Sequence, residues 1–497
     1  MIDRALERRI PTFYVGAVLA VAATVVAILC SSATRYGYFG DELYFIWAGA
    51  HPDWSYVDQP ALVPLIARVA EMIAPGSLWV LRLPSAVGVG VAVVLAALIA
   101  REFGGGRRAQ LMAAGALAVS PAYLVAGHHL HTAALDPALW TASTWLMVRV
   151  VRTRSCWALL VLAIVTAVAV NVKVLILALW LVVVPCAFFV RPRPALPSKW
   201  ALASSAAIVA AGALPWTLWQ ANHGWPQLHF MRAVSAEYRA DRDGWLAFPV
   251  SVLTVAGFVA GAALLCHGAV QLVRAPGLRP YRFLGLATGV LALLFLVTGG
   301  RAYYLAGLFP VCWAASAVMI ERRGAASWWR WTSTWPARIG TLALSAILVL
   351  PLWTVEQLRT YPWLPQPVGE LGWPQAVRSI AQASAGHPRA VGAPVLAQTC
   401  WLASAVQYYG AAQGIPTAHS ANWGCWPLSR PTDEITEIVY AGRNPEVLNG
   451  SFSEIVRLGT VETGAGRAAD SQGTPIWFAT GRTEPWSVIW TRLLDLS

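Results

Sequence analysis

Apolar runs of about 20 residues recur along the first 355 positions, separated by short polar stretches, and each is long enough to cross a bilayer. The first, at about 11–30, is not followed by a small-residue cleavage signature and reads as a retained helix. Further crossings are predicted over 78–100, 109–126, 138–151, two within Trp157 to Val190, and 200–219. Others follow near 246–273, 281–299, 303–320 and 339–355. The Trp157–Val190 run is too long for one helix and divides at Asn171-Val-Lys173. The apolar stretch Leu62 to Ile73 is too short to span and predicts an interfacial or re-entrant helix. The count is about eleven.

After Trp353 the continuous apolar runs stop, and Pro, Gly, Gln and Ser rise. Alternation in Ile435-Thr-Glu-Ile-Val-Tyr440 and Pro475-Ile-Trp-Phe-Ala479 predicts strands, so a mixed α/β domain is expected there. The expected organisation is a transmembrane domain over 1–355, with a long external loop at 31–76, and a soluble domain over 356–497. No internal repeat is visible.

Composition agrees: hydrophobic residues are 57% and charged residues 12%, far from the soluble norm. The formal net charge of +12 suggests nucleic acid until its distribution is read. Arg4, Arg8, Arg9, Arg101, Arg107, Arg108, Arg149, Arg152, Arg154, Arg191, Arg193, Lys199, Arg274, Arg279, Arg282, Arg322, Arg323, Arg330 and Arg338 fall in alternate loops. The intervening loops hold only Arg35, Arg68, Arg82, Lys173, Arg232, Arg239, Arg242 and Arg301. That bias is topology, and it predicts a cytoplasmic N-terminus with an extracytoplasmic C-terminal domain. A disulfide between Cys400 and Cys425 is permitted on that side; the other five cysteines lie in or beside apolar segments and read as packing residues.

With topology assigned, carboxylates, imidazoles, tyrosines and a few cations gather on the external side, while the other loops carry Arg and little else. The first loop carries the adjacent carboxylates Asp41 and Glu42, and Asp58 and Gln59 follow within Tyr56-Val-Asp-Gln-Pro60. Later loops bring His128, His129, His131, Asp136, Lys173, His223, His229, Arg232, Arg301, Tyr303 and Tyr304. Carboxylates beside hydrocarbon are costly to desolvate and mark functional candidates, set against the plain reading of solvated loop acids. Carboxylates could act as general bases, and Arg, Lys and Tyr could hold a phosphate by charge-assisted hydrogen bonds. Each has a structural alternative. Asp136, before Pro137, fits a helix N-cap. Lys173 fits a side chain snorkelling to the interface, and the tyrosines fit an aromatic belt. The histidines could bind a metal, but their spacing matches no standard motif, and no cofactor is expected.

Tyr38-Phe-Gly-Asp-Glu-Leu-Tyr44, then Val57-Asp-Gln-Pro-Ala61 and Leu81-Arg-Leu-Pro-Ser85, resembles the bacterial glycosyltransferase family 39 group of the GT-C superfamily. That group includes protein O-mannosyltransferases, with the lipid A aminoarabinose transferases as relatives. The resemblance continues through Ser120-Pro121, Gly127-His128, Leu135-Asp-Pro137, Leu214-Pro-Trp216, Asn222-His-Gly-Trp-Pro226 and Tyr303-Tyr-Leu-Ala-Gly-Leu-Phe-Pro310, over roughly 35–320. Tyr408-Tyr-Gly410, Gly414-Ile-Pro416 and Asn422-Trp-Gly-Cys-Trp426 resemble the group's external domain.

The resemblance implies a polytopic α-helical enzyme of the bacterial cytoplasmic membrane. It would take a hexosyl or pentosyl group from a polyprenyl-phosphate carrier and pass it to a hydroxyl of a protein, lipid or cell-wall glycan at the outer face. Asp41 would be the base, supported by Glu42, with Asp136 a second carboxylate. Lys173, Arg232, Arg301, Tyr303 and Tyr304 would hold the donor phosphate, with Tyr44, Asp58, Gln59, His128 and His129 supporting. The chain departs from the group where relatives often show Lys-Pro-Pro or His-Pro-Pro: here stands Gln59-Pro60-Ala61, which removes a cation. Asn and Val around Lys173 replace the more usual Thr-Lys-Gly. Two other classes compete: a transporter or flippase of lipid-linked sugars, and an inactive envelope-assembly protein. Transporters of that kind usually place polar residues at the bilayer midplane in two related halves, and no such halves are visible.

Overall fold

The computed structural model describes residues 10–191, 197–240, 246–325, 330–422 and 424–494. Arg4, Arg8, Arg9, Arg193, Arg242 and Trp423 of the sequence reading lie outside these. The chain forms two compact units. One holds residues 1–33, 82–221 and 235–350; the other holds 34–81, 222–234 and 351–497.

The first unit is helical. The described residues of the chain contain five helices long and apolar enough to cross a bilayer, Val15–Ser32, Leu78–Glu102, Lys199–Asn222, Pro276–Thr298 and Ala302–Arg323, or up to seven if each of two bent pairs is one crossing. Cys156–Val172, Ile176–Phe189 and Trp335–Val349 are shorter apolar helices. The long apolar run does divide where Asn171-Val-Lys173 predicts. Asn171 Nδ2 donates to Ala167 O and to Gly212 O of the Lys199–Asn222 helix, at 2.9 and 2.8 Å.

Two expected straight spans are broken. Arg107–Ala118 and Pro121–His128 meet at 58°, and Ala247–Val255 and Phe258–Arg274 at 101°. Pro121 has no N–H for a helical bond to residue 117 and its ring crowds the preceding turn, while Gly257 stands at φ +112°, where a side chain is strained. Breaks in an apolar environment expose carbonyls that must find donors. Ser120 Oγ donates to Val255 O at 2.8 Å, joining the two breaks, and Ser345 Oγ donates to Val119 O at 2.7 Å.

Small residues let these helices approach closely, which compensates for the weak hydrophobic drive between apolar segments in lipid. A Cβ on Gly268 would lie 1.8 Å from Cys312 O. The loops expected to carry Arg and little else also hold working carboxylates. Buried Glu102 pairs with Arg149 at 3.1 Å and with Arg152. Glu321 accepts from Gly106 N and Ala109 N, at 2.6 and 3.0 Å, and so caps the Arg107–Ala118 helix.

The second unit contains a five-stranded mixed sheet: β1 (Val395–Ala397), β2 (Ala418–His419), β3 (Ile438–Ala441), β4 (Phe452–Thr460) and β5 (Pro475–Arg482), in the order β2-β1-β3-β5-β4. β1 pairs parallel with both β2 and β3, and β5 pairs antiparallel with β3 and β4. The predicted alternating stretch at 435–440 becomes a strand only from Ile438; Ile435 instead receives the Trp486 indole N–H on its carbonyl at 2.8 Å. Leu396, Ile438, Tyr440, Phe452, Trp486 and Trp490 form the core.

The helices Gly40–Ala50 and Leu62–Ile73 of the first loop belong to this unit. Leu62–Ile73 buries Val63, Ala67 and Ala70 and exposes Leu65, Val69, Met72 and Ile73, the two-sided pattern of an interfacial helix. Gly49 admits its close approach, since a Cβ there would meet Pro64 O at 2.4 Å. Residues 220–244, expected as a loop, carry the helix Pro226–Ala240.

Candidate active site

The Gly40–Ala50 helix begins where Phe39 turns extended (ψ 146°), and the positive end of the helix dipole favours acidic residues in the first turn. Asp41 and Glu42 both stand there, but they part in role. Glu42 is fully buried, and its Oε2 accepts from Phe39 N at 2.9 Å, capping its own helix. Asp41 is half-buried and accepts the indole N–H of Trp401 at 2.8 Å on Oδ1. Gly40 makes room for that indole: a Cβ there would lie 2.3 Å from Trp401 Cγ. The adjacent pair thus differs in setting: Glu42 caps its own helix through Phe39 N, and Asp41 accepts the Trp401 indole.

Asp58 is the second carboxylate of this unit. Tyr44, one turn beyond Asp41 and buried, donates its hydroxyl to Asp58 Oδ1 at 2.7 Å, and Gln227 Nε2 donates to Asp58 O at 3.1 Å. Burial pushes the Asp58 carboxyl up to about 7; the Tyr44 hydrogen bond opposes that shift and the charge of Asp41 adds to it. Burial likewise holds the Tyr44 phenol well above its usual range, with Asp58 reinforcing it, so Tyr44 stays a donor. Gln59 is buried, and among the described residues its side-chain amide makes no hydrogen bond. Arg232 is exposed on the Pro226–Ala240 helix, and among the described residues no hydrogen bond or ion pair joins it to Asp41 or Asp58.

The first unit gathers its own cluster. Lys173 caps the end of Cys156–Val172 in extended conformation. Its ammonium lies 4.5 Å from the Tyr304 ring centroid and 5.2 Å from that of Tyr303, a double cation–π contact. The tyrosines sit on the 3-10 turn Ala302–Leu308 with rings 4.9 Å apart. Tyr123 donates to Ala306 O at 3.2 Å, and Gly307 lets the turn press on Trp140, where a Cβ would meet Trp140 Cβ at 2.2 Å. Arg301, exposed at the head of the turn, and Asp136 both act electrostatically on Lys173. Two cations held together beside phenols make a place suited to an anion.

Asp136 is not an N-cap: it lies inside Thr132–Thr153, and the cap is His131, whose Nδ1 accepts from Ala133 N at 3.1 Å. That bond occupies the His131 Nδ1 lone pair and takes it out of use as a metal ligand at that atom. His128 is buried with its ring centroid 4.4 Å from that of His129. Cys400 and Cys425 form a disulfide. Trp401 was missed by sequence reasoning, because one tryptophan among 26 carries no signal; its place beside Cys400 was the available hint.

The family model described as dolichyl-phosphate-mannose-protein mannosyltransferase matches residues 58–219. No curated protein matches the chain. Among solved structures, the chain is similar to ArnT from Cupriavidus metallidurans bound to undecaprenyl phosphate, with a TM-score of 0.61 and 15% identity over 94% of this chain and 98% of that one. The apo state of the same protein gives a TM-score of 0.58 at 13% identity, over the same shares of both chains. The arabinofuranosyltransferase AftD from Mycobacteria gives 0.52 at 17% identity, over 94% of this chain but only 40% of AftD. At such identities the likeness is one of fold. The chain is a multi-pass membrane protein that shares the fold of these structures.

Proposed function

We propose that this protein moves a sugar from a polyprenyl-phosphate carrier to a hydroxyl acceptor at the outer face of the membrane, with Asp41 as the general base. The observation that carries the reading is the state of Asp41: a half-exposed carboxylate on a helix N-terminus, aimed by an indole hydrogen bond. The similarity to a protein bound to undecaprenyl phosphate supports the donor class. So does the match of residues 58–219 to a family named for a lipid-phosphate sugar donor. The narrower placement in family 39 belongs to the same proposal.

In this mechanism the acceptor O–H gives its proton to Asp41 while its oxygen attacks the anomeric carbon. The bond from that carbon to the phosphate oxygen breaks, its electron pair leaves with the polyprenyl phosphate, and the configuration inverts. The growing negative charge calls for preorganised donors. Within the first unit, Lys173, with Arg301 and the Tyr303 and Tyr304 hydroxyls, is the cluster suited to such a charge. Asp136 acts on Lys173 electrostatically, after the two tyrosines. Arg232 is not needed by this reading.

The test is a transfer assay on protein in nanodiscs, offering polyprenyl-phosphate sugars and nucleotide sugars side by side. Transfer from the lipid donor alone, with inverted product, is expected. Transfer from a nucleotide sugar, or saturable lipid binding with no turnover, would overturn it.

A further inference from the structure

We propose that the Cys400–Cys425 disulfide is a positioning device for the two carboxylates, holding Trp401 on Asp41 and the Gly424 backbone on Tyr44 and Asp58. The proposal rests on the function assigned to Asp41. Each half-cystine is a direct neighbour of a residue that touches a carboxylate or its donor. Trp401 follows Cys400 and donates to Asp41 at 2.8 Å. Gly424 precedes Cys425, and a Cβ on it would lie 1.8 Å from the Tyr44 hydroxyl and 2.7 Å from Asp58 Oδ1. The φ of Gly424 is −67°, open to any residue, so glycine stands there for space and not for conformation.

The two contacts reach different parts of the first loop. Asp41 is in the first turn of Gly40–Ala50, and Asp58 in the turn that precedes Leu62–Ile73. Trp401 and Gly424 are 23 positions apart in sequence, and the bridge fixes their neighbours at a Cα–Cα distance of 5.6 Å. Cys400 and Cys425 are 1% and 0% exposed, so the bridge is a shielded staple and not a switch open to small thiols. Trp401 is accordingly a positioning residue: its N–H stabilises ionised Asp41 and fixes the carboxylate plane, and Asp58 is a titratable group in electrostatic range of Asp41.

The test compares wild type, Trp401→Phe, Gly424→Ala and the double variant Cys400→Ser/Cys425→Ser, full-length and in nanodiscs. Losing the indole donor raises the pKa of Asp41, so the acid limb of kcat/KM moves up by about one pH unit in Trp401→Phe. The disulfide-free variant moves the same way, and adding Trp401→Phe to it brings no further shift. In Gly424→Ala, kcat falls about tenfold with the fold retained. An unshifted acid limb in Trp401→Phe, or additive shifts in the combined variant, overturns the proposal. If the disulfide-free protein does not fold, Trp401→Phe and Gly424→Ala decide the matter alone. A second readout is independent of turnover. The Trp401 indole N–H resonance, identified by its loss in Trp401→Phe, titrates with pH in wild type and ceases to do so in Asp41→Asn. A titration unchanged by Asp41→Asn sinks the inference even if transfer is observed, whereas absent transfer with the titration present sinks only the assigned function.

Discussion

The hydroxyl of Tyr44 donates to Asp58 Oδ1 at 2.7 Å, so a buried phenol and a raised carboxyl share one hydrogen bond a single helical turn from Asp41. The Asp58 carboxyl sits at about 7 when folded, against an ordinary value near 4. The folded state therefore holds a proton that the unfolded state has lost between about pH 4 and 7. The stabilisation is fully present below about pH 4 and is lost as pH rises through 7. Replacing Asp58 by Asn removes this dependence. The unfolding free energy of wild type should fall from pH 5 to pH 8 relative to that of Asp58→Asn, by on the order of 2–3 kcal/mol, with its thermal midpoint falling in step. Parallel curves for the two proteins would contradict the assignment.

Glu42 makes a different prediction from its neighbour. Because it accepts from Phe39 N at 2.9 Å, Glu42→Gln keeps an acceptor there and should retain most of the transfer activity. Glu42→Ala should lose about 1 kcal/mol of stability, with the acid limb of the pH profile unmoved. Thermal unfolding and a pH–rate profile on the two variants check this. An acid limb displaced in Glu42→Gln would return Glu42 to the chemistry.

Lys173 lies over two tyrosine faces, and in the proposed mechanism that cation meets the donor phosphate. Lys173→Met should cut kcat/KM for the lipid donor at least tenfold, the value of one charge-assisted contact. Lys173→Arg should recover part of the loss. Lipid-phosphate binding measured by native mass spectrometry separates affinity from rate; unchanged binding and turnover in Lys173→Met would reduce the residue to an interfacial anchor.

Much of this was legible in the chain. Apolar runs near 20 residues, the break at Asn171-Val-Lys173 and the pattern of Leu62–Ile73 fix helices because burial and lipid act on composition directly. The bends at Pro121 and Gly257 were not legible, since their carbonyls are satisfied by Ser120 and Ser345 from distant segments. Asp41 stood out by charge in an apolar chain. Glu42 stood out for the same reason, though its carboxylate serves Phe39 N, a distinction only backbone geometry makes. Asp136 beside Pro137 looked like a cap until His131 took that position. Trp401 was invisible because its contact with Asp41 joins residues 360 positions apart.

Whether Asp41 takes the acceptor proton is decided by the transfer assay with Asp41→Asn. The amide keeps the size of the side chain and an oxygen for the Trp401 N–H, but cannot accept a proton. Asp41→Asn should fold and still bind the lipid donor, with transfer reduced at least a hundredfold. Full activity in Asp41→Asn would contradict it.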